Sequence, residues 1–326
     1  MAELISSLGP AGTWGTQDWP LRGHEIIPNS LLKQLRHLKD MPGIVRLLVH
    51  TLAIVGSGVL LWDFHQTAWV WLFIAIFGSF VALLFGPLHE CAHGTAFRTR
   101  WLNDVVGRIT GFLVYRPFLY FRYRHTSHHT YTQHLKLDPD RVNLPTSVAQ
   151  YVLDMSARGF WKMCLAYHLR CATVRFDDVA RFFIPAEETA RIVREFRWCV
   201  AGYIFLVAAA LALDPWAPLV FIVGPRIVGE ILLRFLRMSE HTATDDSPDL
   251  LRNIRTTLVN PVLHYFYWEM PYHAEHHLAP SVPFHALAEL HSLVSNKIGF
   301  VAERGLLGAH ADILRTVRAQ HAPVSG

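Results

Sequence analysis

Pro271-Tyr272-His273-Ala274-Glu275-His276-His277 sets three histidines at relative positions 0, 3 and 4. On a helix those positions share one face, about one turn apart. The same spacing recurs at His125-Thr126-Ser127-His128-His129, and His89-Glu90-Cys91-Ala92-His93 adds two more histidines at 0 and 4. Eight imidazoles in three clusters exceed the four ligands of one tetrahedral zinc. They suit two metals, each with room for an exogenous ligand. Neutral imidazole is the commonest metal ligand, and it accepts zinc, copper, iron or nickel. The only sulfur in the clusters is Cys91, so ligand type leaves the metal open. The scattered histidines His24, His37, His50, His65, His168, His285, His291, His310 and His321 read as structural.

Composition places these clusters in a membrane protein. Of 326 residues, 52% are hydrophobic and 17% charged, against about 25% charged in a soluble domain. Residues 44–62 and 69–88 form two apolar runs joined by the short turn Asp63-Phe64-His65-Gln66-Thr67. Residues 196–213 and 216–236 form two more, joined by Asp214-Pro215. Each suits a hydrocarbon core that needs about 20 helical residues. Arg226 and Glu230 interrupt the last run one turn apart, where they can pair. Trp62, Trp69, Trp71, Trp198 and Trp216 lie where interfacial anchors belong. The expected fold is all-α: four transmembrane helices in two hairpins, with a cytoplasmic helical cap holding the histidines.

The connecting turns carry Asp63 and Asp214 and no basic residue, whereas Lys33, Arg36, Lys39, Arg98, Arg100, Arg191, Arg194, Arg197, Arg234 and Arg237 lie on the other side. The positive-inside rule then puts both termini and all three clusters in the cytoplasm. The first twelve residues lack a secretory signal's basic start and apolar core. The setting is a bacterial inner membrane, or the endoplasmic reticulum membrane in a eukaryote. Residues 1–43 are an N-terminal segment in which Leu31–Leu38 reads as a short, solvated amphipathic helix. Residues 44–300 are the main domain, and 301–326 a C-terminal tail. Gly107–Phe121, interrupted by Arg108, Arg116 and Pro117, reads as a buried or interfacial helix that returns to the cytoplasm, since a fifth span would strand the second cluster. Residues 146–195 read as amphipathic helices on the membrane surface. Phe284, Leu287, Leu290 and Val294 mark a helix covering the site. A net charge of +4 with dispersed arginines argues against nucleic-acid binding, and the four cysteines form no disulfide framework.

Two rival chemistries fit parts of the pattern. His89-Glu90-Cys91-Ala92-His93 matches the HExxH signature of zinc proteases, with the glutamate as general base, but leaves six histidines unexplained. A metal transporter or storage protein accounts for histidine abundance, yet transport places polar ligands within the spans, and these lie at their ends and beyond.

The order HxxxH, HxxHH, HxxHH, between and after two helical hairpins, resembles the membrane fatty acid desaturase superfamily. The stretch from Pro271 to Pro280 is especially similar to that family's third box. The likeness covers roughly residues 40–300. It implies a non-haem di-iron centre that uses dioxygen and two electrons to attack an unactivated C–H bond. Carried over, the metal ligands are His89, His93, His125, His128, His129, His273, His276 and His277. A ninth histidine follows the fourth span in such proteins. His241 holds that place, with His264, four residues after Asn260, as runner-up and His134 as a weaker extra. The implied reaction is desaturation of an acyl chain; hydroxylation or ketolation of a lipid, alkane, carotenoid or small amino-acid-like substrate is the alternative. No His-Pro-Gly-Gly haem motif is present, so electrons come from a separate ferredoxin, rubredoxin or cytochrome. Glu269 stands where many relatives have asparagine. Asp138-Pro139-Asp140 offers a carboxylate that either orients a ligand imidazole or caps a helix.

Overall fold

A computed structural model describes residues 26–320 and is mostly helical. The expectations for residues 1–25 and for His321 lie outside the described residues. Helix α1 (Asn29–Leu35) buries Leu32 and Leu35. They pack with Leu250, Ile254, Ala274 and Leu278, so α1 is part of the cap and not the solvated helix expected from the sequence. Helix α2 (Met41–Phe64) is followed by α3 (Val70–Leu83), which continues past Leu84 as α4 (Phe85–His93). Helices α2 and α3 pack together as the expected hairpin.

Gly107–Phe121 does not form one helix. Helix α5 (Arg100–Leu113) ends at a reversal, and α6 (Phe118–Thr130) runs from it. Tyr115 takes φ 57° in that turn, and Pro117 fixes the entry to α6. The chain thereby returns toward the side it left, carrying the second histidine cluster with it. Residues 146–195 supply α7 (Val148–Met155), α8 (Arg158–Ala172) and α9 (Asp178–Phe183), and α10 spans Thr189–Leu213. Val152, Leu165 and Leu169 on α7 and α8 are exposed apolar residues.

Among the described residues, three stretches, Met41–Phe64, Val70–His93 and Ala186–Leu213, are long and apolar enough to cross a membrane. The expected fourth span is helical but differs in kind. It opens as a π-helical turn, Pro218–Val223, and continues as α11 (Gly224–His241). Prolines at 218 and 225 withhold backbone donors at its start, and Arg226, Glu230, Arg234, Arg237 and Glu240 give α11 a charged character that an isolated span does not tolerate. It is tolerated here because α11 packs closely along α3. A Cβ on Gly78 would lie 2.3 Å from the Pro225 carbonyl oxygen, and one on Gly229 would lie 2.3 Å from the Gly78 oxygen. Small residues permit this backbone-to-backbone crossing, the packing mode favoured where lipid supplies no hydrophobic drive. The carboxylate of Glu230 takes two bonds from Arg116, at 2.7 and 3.2 Å, and lies 3.4 Å from Arg226. The expected intrahelical pair is thus a buried three-residue network.

By contrast, α2 and α10 leave Leu48, Leu52, Val55, Trp198, Phe205 and Leu213 exposed. Such continuous apolar faces suit lipid rather than water. The remaining chain forms the cap: β1 (Thr256–Thr257), α12 (Pro261–Phe266), α13 (His273–Leu278), α14 (Leu287–Val294), β2 (Val301–Ala302) and α15 (Gly305–Ala319). Strands β1 and β2 pair in parallel. Phe284, Leu287, Leu290 and Val294 are all buried. Residues 301–319, expected from the sequence to belong to a tail, are folded through β2 and α15, which buries Ile313 and Val317. A core of Phe85, Leu88, Phe118, Phe121, Phe196 and Trp268 joins the long helices to the cap.

Candidate metal centre

Four helices bring histidines to one place. α4 carries His89 and His93, α6 carries His125, His128 and His129, α11 ends on His241, and α13 carries His273, His276 and His277. The nine sort into two groups whose nitrogens lie within 4.8 Å of one another: His89, His93, His125, His129 and His276, and His128, His241, His273 and His277. Helix geometry explains the division. At about 100° per residue, positions 0 and 4 of a cluster point some 40° apart, while position 3 diverges from position 4 by about 100°. His89 with His93, His125 with His129, and His273 with His277 therefore stay together, and His128 and His276 each turn to the other group. The groups are adjacent, with His129 and His277 stacked at 3.9 Å between centroids.

The Nε2 atoms face inward. His241 Nε2 lies 3.2 Å from His128 Nε2 and 2.9 Å from His273 Nε2, and His277 Nε2 lies 3.2 Å from His273 Nε2. In the other group, His276 Nε2 is 3.2 Å from both His93 and His129, and His129 is 3.0 Å from His125. A neutral imidazole has one donor and one acceptor, so hydrogen bonding does not satisfy a ring of converging Nε2 atoms. Metal–nitrogen bonds of about 2.0–2.1 Å set neighbouring ligands about 2.9–3.4 Å apart, and the observed spacings fit that edge. Both ring nitrogens of His89 are buried without a hydrogen bond, which a metal on one of them would relieve.

Outer contacts fix the rings. Asp138 Oδ1 lies 2.8 Å from His128 Nδ1, and its Oδ2 accepts from the Gln133 amide at 2.8 Å. Asp138 is therefore the carboxylate that orients a histidine, and Asp140 instead pairs with Arg124 at 2.8 Å. Thr132 Oγ1 is 3.2 Å from His277 Nδ1. Glu275, inside the third cluster, holds α13 in place: it accepts from Thr256 at 2.5 Å and meets His291. Glu240 accepts from the Tyr267 hydroxyl at 3.1 Å and lies 3.6 Å from His273 Nε2. Sequence reasoning does not single out Glu240, Glu275 or Thr132; the only signal for the two glutamates is their position beside or between histidines.

Burial holds His125, His129, His273, His276 and His277 well below the usual imidazole pKa, and neighbouring imidazoles add to the effect. At His128 burial acts the same way and is the largest single influence, but the charge and hydrogen bond of Asp138 together with the charge of Asp140 outweigh it and the pKa is raised. A neutral, electron-rich imidazole cluster is the state that binds metal.

The runners-up lie outside both groups. His264 Nδ1 is 2.9 Å from Glu269, which also pairs with Arg46 at 3.0 Å. The residue that departs from the asparagine of many relatives thus ties the cap to α2. His134 Nδ1 accepts from the amides of Lys136 and Leu137. Cys91 is buried and belongs to neither group. Glu90 is unsuited to a protease's base. One of its oxygens accepts from Thr95 at 2.8 Å and from the Phe284 amide at 3.1 Å, and the other lies 3.4 Å from His89 Nδ1, the outer side of that ring.

Membrane-length helices leading into a histidine-lined centre with room for two metal ions define the class. The chain belongs to the fatty acid desaturase family, whose pattern matches residues 40–303. It is thus an enzyme of a lipid-modifying oxidoreductase family. It is similar to an sn-1 oleoyl-lipid 12-desaturase of Arthrospira platensis, 24% identical over 83% of this chain and 80% of that protein. A Delta(12) acyl-lipid conjugase (11E,13E-forming) of Momordica charantia is 26% identical over 76% of this chain and 66% of its own length. An acyl-lipid omega-3 desaturase (cytochrome b5) of the endoplasmic reticulum of Arabidopsis thaliana is 23% identical over 80% and 72%.

Proposed function

We propose that the nine histidines hold two iron ions and that the enzyme introduces a double bond into the acyl chain of a membrane lipid, using dioxygen and two electrons from a separate carrier. The observation that carries this reading is the division of the nine histidines into groups of five and four with converging Nε2 atoms. The two irons would supply the oxidising power for hydrogen removal from an unactivated methylene. The chain's own part is to hold that power in place: Asp138 keeps the His128 proton on Nδ1 and leaves Nε2 bare, and Glu275 fixes the turn of α13 that aims His273, His276 and His277. The buried apolar floor of Phe85, Phe118 and Phe121 keeps water from the reacting carbon. The acyl-lipid names of the relatives favour a lipid-linked chain as substrate, and their desaturase and conjugase names favour an alkene product over an alcohol.

In the membrane, α11 with its π-helical start serves as the fourth span, beside three longer ones. Both termini and the cap face the cytoplasm, where a ferredoxin or cytochrome reaches the site; each is named as the donor in one relative. Expression in a host that makes only monounsaturated acyl chains tests the reaction. Mass spectrometry of its lipids is expected to find a new diunsaturated chain, absent with His276→Ala. Hydroxylated chains in place of the alkene would overturn the desaturase reading.

A further inference from the structure

Between the C-terminal half of α11 and helices α7 and α8 lies a cleft of about 560 Å³. Five arginines line it, namely Arg116, Arg124, Arg141, Arg234 and Arg237, against three carboxylates. Each carboxylate has a partner inside the chain, although Asp140 keeps one buried oxygen without a hydrogen bond. Glu230 is taken by Arg116 and Arg226, Asp140 by Arg124, and Asp154 accepts from Gln150 at 2.8 Å. Arg141 turns to Asp246 at 3.0 Å. Arg234 and Arg237, one turn apart on the same helix, have no carboxylate within 4 Å among the described residues, and Arg237 Nε is buried without a hydrogen bond. Like charges at this spacing repel, and two guanidinium groups left facing a cavity call for an anion from outside the chain. Guanidinium forks match the oxygens of a phosphate.

The cleft has a second, apolar compartment. A neighbouring pocket of about 70 Å³, walled by Tyr120, Phe121, Cys164, Tyr167 and Phe196, shares Arg116, Arg124, Asp140, Phe160, Met163 and Arg237 with it. The ring of Phe121 stacks on His125 at 5.2 Å. A polar, cationic chamber thus adjoins an apolar one whose wall touches the histidine centre. The exposed apolar residues Val152 and Leu165 on the flanking helices suit a mouth at the membrane surface. We propose that Arg234 and Arg237 bind the phosphate of an amphipathic acyl substrate while its chain enters the apolar compartment. This rests on the acyl-desaturase reading and specifies its substrate as phosphate-bearing, in contrast to a neutral glycolipid.

Binding to the full-length protein in detergent, followed by native mass spectrometry without turnover, tests this separately from the reaction. The probes are dioleoylphosphatidylglycerol, oleoyl-coenzyme A and a dioleoyl monogalactosyl lipid. At least one phosphate-bearing probe is expected to bind about tenfold or more tighter than the galactolipid, the value of one charge-assisted bond. Which one does so identifies the source of the phosphate. Arg234→Gln is expected to erase most of that preference and Arg234→Lys to restore part of it. Equal binding of the neutral lipid by the unaltered protein, or a preference untouched in a folded Arg234→Gln variant, would overturn the proposal. Absence of a double-bond product with the phosphate preference intact would count against the reaction and not against this site.

Discussion

At the scale of single residues, His128 and Asp138 set the strictest condition. The carboxylate 2.8 Å from Nδ1 fixes the tautomer that leaves Nε2 free for metal, and removal of such an outer partner costs about 10–100-fold in metal affinity. Asp138→Asn is therefore expected to weaken iron binding by that order in a chelator competition while leaving the protein folded; unchanged affinity would remove Asp138 from the account. The histidines also make the protein sensitive to acid. Those of α6 and α13 with depressed pKa values stay neutral in the folded chain, whereas the unfolded chain protonates them below the usual value of 6.5. The unfolded state then binds more protons, so stability is lost as pH falls below that value, by at most about 1.4 kcal/mol per pH unit for each histidine. His128, with its raised pKa, works weakly in the other direction. The thermal midpoint of metal-free protein is expected to drop steadily between about pH 7 and about pH 5.5; a flat profile would contradict neutral, buried imidazoles. The histidine boxes and Asp138 are legible in the sequence because packing alone does not call for imidazoles repeated at helical spacing. Glu240 and Thr132 are not, because a lone carboxylate or hydroxyl acquires its role only through the contacts that folding brings.

At the scale of elements, the crossing of α3 and α11 decides whether His241 reaches the centre. That crossing depends on Gly78, where a methyl group would meet the backbone oxygen of Pro225 at 2.3 Å. Backbone cannot yield as a flexible side chain can, and overpacking of this kind costs about 1–3 kcal/mol. Gly78→Ala is expected to lower the thermal midpoint by several degrees and to reduce metal content. Gly56→Ala in α2, where nothing lies within 4 Å, is expected to leave the midpoint unchanged or raise it. Equal effects at the two positions would refute the close crossing. The elements are only partly legible in the sequence. Apolar length marks α2, α3 and α10 correctly, but α11 owes its place to contacts with α3 and not to its own hydropathy. The reversal at Tyr115–Pro117 hides inside what looks like a single helix because Gly107–Phe121 is apolar on both sides of it. Helix α1 looks solvated in sequence because Lys33 and Arg36 mask the two buried leucines.

At the scale of the whole molecule, long helices carry exposed apolar surface and a cap of short helices carries the histidines, with a shared core between them. His89 and His93 sit where a membrane-length helix enters that cap, which is why residues far apart in sequence, His89 and His276 among them, lie side by side with ring centroids 4.4 Å apart. The three clusters are legible as a need for two metals; the split into five and four requires the ninth histidine's position in space. Metal content tests this central claim most directly. Elemental analysis of the purified, iron-reconstituted protein is expected to give two irons per chain, with His276→Ala and His241→Ala each falling well below two. A single zinc per chain, or full iron content in either variant, would contradict it.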